Sequence, residues 1–389
     1  MLALHIAFLV VLDLTLDVIF SFSQFLTRIS MTAMTYVFGD ALTGKIIAEI
    51  PLYGVSVLEK FGGGELRGTF QYDQTGRDNE VLDAATIPGR CFVVAERNAI
   101  PIYAGYIQTR TYQSQAKSAQ LFSRGFAAYP ERRILREDVN YALQDQIAIF
   151  RDLWVKMQSD SKSIRVDLFT TFTSGVNQEL VCAASEFKSY AQLFEQLADG
   201  DTGFDWRVDI ARSEGIYVFQ LRVGYPMLGS TDASRITFEY PGNILNYWKN
   251  ETMSDAGTHV YTIGAGEGTS MLTSTTTHSD LLNGGFPRFD IEISRKDIAN
   301  QGLLDAIGRQ EGLKHKAPVP AYTVEVKADR DPEFGTYTLG DACQLVITDP
   351  KHPNTFQKYT RLVGWDYHPP SSDGTEEARL MFEGDESVG

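Results

Sequence analysis

The chain has 389 residues, 43% of them hydrophobic and 22% charged, with a formal net charge of −15. That length leaves room for roughly two to four domains, and the composition is that of an ordinary globular protein. The charge argues against a surface that grips polyanions through Lys and Arg. The scattered cysteines Cys91, Cys182 and Cys343 are too few for a disulfide framework or a four-ligand zinc site and read as reduced core residues.

Residues 1–35 differ from the rest. Leu2 to Leu12 is apolar apart from His5, and Asp13 and Asp17 then interrupt before Val18 to Phe22. A membrane span wants about twenty apolar residues and penalises central Asp. A secretory signal wants a basic flank that is missing here. The simplest reading is an extension upstream of the true start, at Met31 or Met34, outside the core. An amphipathic appendage comes second and a membrane anchor third.

Residues 36–135 read as a first β-barrel. Ile46 to Val57 and Leu66 to Tyr72 supply strands, with Gly62-Gly63-Gly64 as a flexible link. Leu66, Gly68, Phe70 and Tyr72 share one face. Residues 136–200 read as a helical connector. Val139, Leu143, Ile147, Phe150, Trp154 and Met157 fall at spacings of 4, 4, 3, 4 and 3, one apolar stripe about six turns long. A second helix follows Ser185 as N-cap, carries Phe187, Tyr190, Phe194 and Leu197, and stops at Gly200. Both stripes suit a core or a subunit contact.

Residues 201–316 read as a mixed α/β middle domain. Trp206, Val208 and Ile210 share a strand face, and Ile216 to Leu221 follows the Glu214-Gly215 turn. Val260 to Ile263 and Phe289 to Ile293 are expected to continue that sheet, with the Ser/Thr-rich stretch Thr269 to Ser279 as an exposed loop. Leu303, Leu304 and Ile307 mark a helix ending near Gly312. Ala317-Pro318-Val319-Pro320 then leads stiffly into residues 317–389, a second barrel. There Tyr322, Val324, Val326 and Ala328 alternate with Thr323, Glu325 and Lys327. Strands at Thr336 to Thr348, Tyr359 to Tyr367 and Glu377 to Phe382 follow with no helix between them.

The two barrels carry a repeat. Gly89 to Val94, Ile102 to Tyr106 and Ala119 to Phe122 match Gly340 to Cys343, Val363 to Trp365 and Ala378 to Met381. Gly105 to Ala119 spans fourteen residues, as does Gly364 to Ala378. Gly89 to Gly105 spans sixteen residues against twenty-four from Gly340 to Gly364, which places most of the length change in one hairpin loop. The expected fold class is thus α+β, mainly β: two similar small antiparallel barrels, duplicated tube-like domains, with a helical and mixed α/β region between them. Gly105 is expected to superpose on Gly364, and Ala119 on Ala378.

Catalytic signatures are scarce. Gly39-Asp40-Ala41-Leu42-Thr43-Gly44-Lys45-Ile46 nearly spells a phosphate-binding loop, but Ile46 replaces the required hydroxyl and a strand-like run with Pro51 follows. Gly264-Ala265-Gly266-Glu267-Gly268 reads as a tight turn. The six histidines, His5, His259, His278, His315, His352 and His368, form no metal-ligand spacing. Trp206, Trp248 and Trp365 could line a sugar groove, but strand-like contexts favour core packing. No catalytic, cofactor-binding or metal-binding residue is assigned, and no cofactor is expected.

With the repeat and this silence in view, the chain resembles the baseplate hub, or tail-associated minor tail, proteins of long-tailed bacteriophages, especially those of actinobacteria. The resemblance covers roughly Tyr36 to the end. It rests on Arg90 to Tyr106 with Tyr103-Ala104-Gly105-Tyr106, on Ala119 to Leu135 and on Tyr322 to Asp349 with Leu339-Gly340-Asp341. Arg361-Leu362-Val363-Gly364-Trp365 and Ala378 to Phe382 complete it. The resemblance implies a non-enzymatic virion protein of the tail tip. It implies a homotrimer whose six barrels form a pseudo-sixfold ring between the sixfold distal tail or tail tube protein and threefold tip or fibre proteins. The tape measure protein is an expected partner, and genomic DNA passes through without specific binding. The rival readings are a cell-wall- or carbohydrate-degrading tail enzyme and a receptor-binding tail protein.

Overall fold

A computed structural model describes residues 33–198, 202–213, 215–296, 298–316, 321–370 and 376–383. Residues 1–32, Gly200 and the Pro-rich 317–320 segment lie outside these residues. The end of the expected extension does not stay out of the core, since Met34 and Thr35 already belong to the first strand and Met34 packs against the core.

Seven strands open the chain: β1 (Met34–Asp40), β2 (Ile46–Glu49), β3 (Tyr53–Lys60), β4 (Glu65–Gln71), β5 (Cys91–Arg97), β6 (Ile100–Gln113) and β7 (Ser118–Gly125). Alternation makes them: Leu66, Gly68 and Phe70 of β4 are buried while Arg67 is exposed. Gly62 and Gly63 sit at φ 81° and 122°, where a side chain is strained, and Gly63 N donates to Lys60 O at 3.1 Å. That glycine run is therefore a tight hairpin turn and not a flexible link. A short helix, α1 (Asn79–Ala85), joins β4 to β5.

The connector folds differently from its apolar spacing. Val139–Asp145 is a strand, β8, and the helix α2 begins only at Gln146, running to Ser159. Val139 and Tyr141 alternate inward, and Leu143 then takes a left-handed turn at φ 47° and points to solvent. The Asp145 carboxylate caps the helix, accepting from Ile147 N at 3.0 Å and Ala148 N at 3.2 Å. β9 (Asp167–Leu168) and β10 (Asn177–Cys182) come next, and β10 pairs with β8. The second helix, α3 (Tyr190–Ala198), starts five residues after the expected cap. Its cap is Ser189: Gln192 Oε1 accepts from Ser189 N at 2.9 Å while Ser189 Oγ accepts from Gln192 N at 3.3 Å, a reciprocal capping box. Ser185 lies in a 3-10 turn, and Phe187 follows it in left-handed conformation. The hairpin β11 (Asp205–Ser213) and β12 (Ile216–Gly224) closes this unit.

After β13 (Thr237–Tyr240) and β14 (Ile244–Asn250) a small sheet of its own appears: β15 (His259–Ile263), β16 (Thr273–Thr277) and β17 (Asp290–Ser294), in the order β16-β15-β17. It does not continue the β11–β12 sheet. The Ser/Thr-rich stretch is strand β16 rather than a loop, since β-branched threonines suit a pleated surface and pair with β15. A short helix, α4 (Ser279–Asn283), links β16 to β17. The helix α5 (Gln301–Lys314) covers one face and ends two residues past Gly312, close to its expected end. Gly308 and Gly312 let it approach closely: a Cβ at Gly312 would meet Thr276 Cγ2 at 2.4 Å.

β18 (Ala321–Lys327), β19 (Ala342–Asp349), β20 (His352–His368) and β21 (Glu377–Phe382) finish the fold. They repeat the order of the early strands. β5-β6-β7 is a meander whose last strand returns beside β4, and β19-β20-β21 is a meander whose last strand returns beside β18. Ala119 faces Phe70 and Ala378 faces Val326, and both alanines are fully buried. The glycines do not correspond. Gly105 pairs with Gly125, six residues past Ala119, whereas Gly364 pairs with Met381, three past Ala378. The equal spacing arises because the longer connection 369–376, against 114–117, offsets a shorter paired stretch. Nor is the length change in the first hairpin loop, because Arg97 faces Ile100 and Asp349 faces His352 across two-residue turns in both copies.

The fold is mainly β, but no sheet closes into a barrel among the described residues. The two meanders instead belong to one 13-stranded sheet, joined where β20 pairs with β3. Two hydrophobic cores result. One lies under both meanders, and the other joins the connector and the β11–β12 hairpin to the back of the first. β5 divides them: Cys91, Val93 and Ala95 face one core, Phe92 and Val94 the other. Burying a side chain such as Phe92 on the second side contributes about 1.5–3 kcal/mol.

Candidate assembly surface

The seam between the meanders is short and locked from behind. Lys60 to Val57 of β3 face Gly364 to Tyr367 of β20. At the end of β5, Arg97 crosses into the second meander, where its Nε donates to Glu376 Oε1 at 2.6 Å and one Nη to Glu333 at 3.0 Å and Phe334 O at 2.9 Å. Tyr367 Oη also donates to Glu376. Arg97 is 6% exposed and Glu376 4%. Burial opposes the Arg97 charge, but the Glu376 hydrogen bond and charge outweigh it and hold the guanidinium protonated. The preceding residue, Glu96, points the other way and accepts from Tyr217 Oη of β12 at 2.6 Å.

A second charged joint ties the β11–β12 hairpin to the sheet. Arg361 pairs with Asp205, Arg207 Nε donates to Asp209 at 2.7 Å and Arg207 Nη1 to Leu339 O at 2.7 Å. Arg222 pairs with Asp209 at 2.5 Å. Glu59 of β3 faces this group. Loss of hydration pushes its carboxyl up to about 8, Arg207 works against the rise and Asp209 adds to it.

The solvent face of the sheet carries both signs. Arg379 reaches Glu325 at 3.2 Å and lies over Trp248 at 5.6 Å, while Arg124 reaches Glu131 at 2.8 Å and Glu65 at 3.6 Å. Asp366 accepts from Ser56 at 3.0 Å and faces His368 at 3.4 Å. Partial burial would raise the Asp366 carboxyl, but His368, Ser56 and Arg379 bring it below its ordinary value. Its hydrogen bond raises the His368 imidazole.

The apolar stripes expected to suit a subunit contact are spent inside. Phe150, Trp154, Met157, Phe194 and Leu197 are buried, packed with half-buried Trp206 in one aromatic cluster. Among the large hydrophobes the unit leaves outside, two break the helical pattern. Leu143 is 74% exposed at φ 47° and Phe187 73% exposed at φ 52°. Bulky side chains rarely occupy that backbone region, so two strained positions both display a hydrophobe to solvent. Both belong to the apolar stripes, which do not foretell their exposure, and Arg97, Glu376 and Glu59 had no local motif to single them out.

The remaining motifs have structural roles. In the loop-like Gly39 to Ile46 segment the Asp40 carboxylate already accepts from Leu42 N at 3.1 Å and Thr43 N at 3.0 Å, occupying the amides a phosphate would need. β2 follows it where a phosphate loop needs a helix. Gly264 to Gly268 makes a turn, with Gly266 at φ 107°. Trp365 is 7% exposed against Phe334, and Trp248 alone of the three candidate sugar-stacking tryptophans lies well exposed, at 38%. The three cysteines are free and buried. Among the described residues no group of three His, Cys, Asp or Glu is placed to hold a metal ion. Glu195 and Glu311 line one cleft of about 400 Å³ between α3 and α5, but Glu311 is buried against Arg295 and His315.

No family model matches the chain, and no curated protein does. Solved structures do. The 43 kDa tail protein of prophage MuSo2 from Shewanella oneidensis aligns with 90% of this chain and 98% of its own, at TM-score 0.58 and 11% identity. The tail protein from Neisseria meningitidis MC58 aligns over 90% and 97%, at TM-score 0.55 and 10% identity. A chain of the Francisella PdpA-VgrG complex aligns over 92% of this chain and 59% of its own, at TM-score 0.55 and 9% identity. At such identities the likeness is one of fold: this chain has the fold of these tail proteins. These neighbours do not bear on the actinobacteriophage type.

Proposed function

We propose that this chain is a structural hub of a phage tail tip or baseplate, located in the virion and acting by assembly rather than catalysis. The observation that carries this reading is the pair of three-stranded meanders, each closed against an earlier strand in the same order and fused in a single sheet, within a fold shared with phage tail proteins. Three copies present six meanders, which reconciles a sixfold tube with threefold tip proteins. The partners are a distal tail or tail tube protein on one side, tip or fibre proteins on the other, and the tape measure protein. With the apolar stripes buried, the trimer contact falls to surface groups such as Leu143 and Phe187.

DNA passes through the ring unheld. Three copies carry three times −15, or −45, and a net acidic inner wall repels the phosphates of the duplex. The central sheet face carries both signs, so this wall draws on other surfaces as well. Negative-stain imaging of purified protein is expected to show a ring with a hole, and a virion map to show threefold symmetry at this layer. A layer of any other symmetry, or a lumen lined mainly by Lys and Arg, overturns the respective part. Clearing of host cell walls by purified protein would favour the enzymatic rival, and binding of the isolated chain to host cells the receptor-binding one.

A further inference from the structure

The internal repeat reaches one strand further on each side. β3 lies antiparallel beside β4, and β14 lies antiparallel beside β18, so β3-β4-β7-β6-β5 and β14-β18-β21-β20-β19 run in one order. The match holds at single residues. Gly89 N donates to Ile107 O and Gly340 N to Leu362 O, each at 2.7 Å, and β6 and β20 both bulge directly after those carbonyls. Tyr112 faces Ala119 as Tyr367 faces Ala378. Leu66, four residues before the partner of Ala119, faces Val57. Tyr322, four before the partner of Ala378, faces Lys249. Lys249 is therefore the counterpart of Val57, and Tyr112 the counterpart of Tyr367.

Val57 and Tyr367 face each other across the seam, but their counterparts have no such neighbour. β14 ends the main sheet, and among the described residues no strand pairs with its outer edge. Asn250, its last residue, faces Ala321, the first of β18, so residues 251–320 are an insertion at the tip of this hairpin. The strands of that insertion form a sheet of their own, and none pairs with β14. On β6, β5 pairs only with Ile100 to Tyr106, and among the described residues no strand takes that side of Thr109 to Tyr112. The Arg110 side chain holds α1 there through Asp83 and Thr86, but α1 makes no backbone hydrogen bond to this stretch. Burial records the same difference: Tyr367 is sealed behind the seam, while Tyr112 is 56% exposed.

The chain thus holds the two halves of one contact twice. β3 and β20 have met, and the edges of β14 and β6 are the same two halves left over. Within one molecule they cannot meet in the same way, because β3 and β20 already join the two copies of the repeat on their near sides. A contact between unlike surfaces passes from molecule to molecule and closes into a ring where its rotation allows. Unpaired strand edges are templates for strand addition. We infer that the end of β14 pairs antiparallel with Thr109 to Tyr112 of β6 in a second copy, repeating between chains the β3–β20 seam within one. In that register Asn250 faces Thr111, as Leu58 faces Asp366. The inference rests on the ring reading above and names the strands that join its copies.

The test is disulfide trapping in the purified full chain, read on non-reducing gels beside mass photometry of the untreated protein. The native cysteines are buried, so the parent chain sets the background. Asn250 and Thr111 are both exposed, and unchanged melting of the reduced variants confirms the fold. On mild oxidation the double variant Asn250→Cys with Thr111→Cys is expected to give covalent dimers and trimers. Their yield should exceed that of either single variant by about tenfold or more, since facing Cβ atoms of paired strands lie near disulfide reach. An equal mixture of the two single variants is expected to stop at the covalent dimer. A single variant that cross-links to itself as readily would show a symmetric contact and overturn the inference. Oligomers in which the double variant forms no bond would overturn it too, while leaving the ring reading intact. A chain that stays monomeric at its highest soluble concentration would overturn both.

Discussion

Arg97 and Glu376 stand 279 residues apart in sequence and 2.6 Å apart in the fold, both nearly sealed from solvent. Their pairing fastens the first meander to the second behind a seam of only four facing pairs. Removing one partner strands a buried charge. Arg97→Ala is expected to cost about 3–5 kcal/mol of stability, read by urea unfolding. A loss below about 1 kcal/mol, the range of exposed pairs, would show that water reaches the site. The double variant Arg97→Met with Glu376→Gln is expected to recover part of the loss.

Tyr337 presents the opposite case. It is 4% exposed, packs edge-on against Phe238 and Phe334, and its hydroxyl finds no hydrogen-bond partner among the described residues. Burial, with a smaller push from Cys343 and against the pull of Arg97, drives its ionisation far above the ordinary range. Tyr337→Phe is expected to be neutral or to stabilise by about 1 kcal/mol. A loss of similar size in thermal unfolding would reveal a hidden partner, such as a buried water.

Glu59 should make the charged joint sensitive to pH. Its carboxyl is raised from an ordinary 4.5 to about 8, so between those values the folded state binds a proton the unfolded chain has released. Stability is then greatest below pH 4.5 as far as this group is concerned and falls as pH rises towards 8. Glu59→Gln is expected to remove that slope, raising stability at pH 8 by up to about 4 kcal/mol and at pH 5 by less than about 1 kcal/mol. Melting temperatures of the two proteins at both pH values check this, and parallel profiles would contradict it.

The insertion makes a prediction of topology. Replacing residues 251–320 by a two-residue Asn-Gly turn reconnects Asn250 to Ala321, which already face each other. The shortened chain is expected to stay soluble and unfold cooperatively. Aggregation, or loss of the sheet signal in circular dichroism, would show that the main fold depends on the inserted body.

These relationships differ in how far the sequence exposes them. Strands with one buried face were legible because alternation is local: Tyr322, Val324 and Val326 announce β18 without knowledge of any partner. The repeat was legible in its strand order, since Ala119 and Ala378 do hold equivalent places, but not in its register, because turn length and strand length trade against each other at constant spacing. Val139 to Met157 misled because Val139 fits the helical stripe as well as the period of two that it shares with Tyr141. The decision lies in Leu143's backbone and Asp145's cap, which spacing alone does not weigh. Ser189 and Gln192 did carry a readable capping box that Ser185 overshadowed. The Arg97–Glu376 pair had no local signature at all, for its partners meet only after the sheet is assembled.

The seam between β3 and β20 also bears on how the molecule carries mechanical load. Tension applied across the strands does not spread over all the hydrogen bonds of a sheet. It opens the shortest ladder first, bond by bond, as a zipper parts. Between the meanders the load crosses the ladder from Lys60 to Val57 facing Gly364 to Tyr367, four pairs long against five or more in every ladder within the meanders. Arg97 sits behind it as a rivet, bonded to Glu376, Glu333 and the backbone of Phe334, so the seam parts only when a buried charge is torn from its partners. In single-molecule pulling with handles on the two meanders, the first rupture falls at this line, and it moves to lower force when Arg97 is gone.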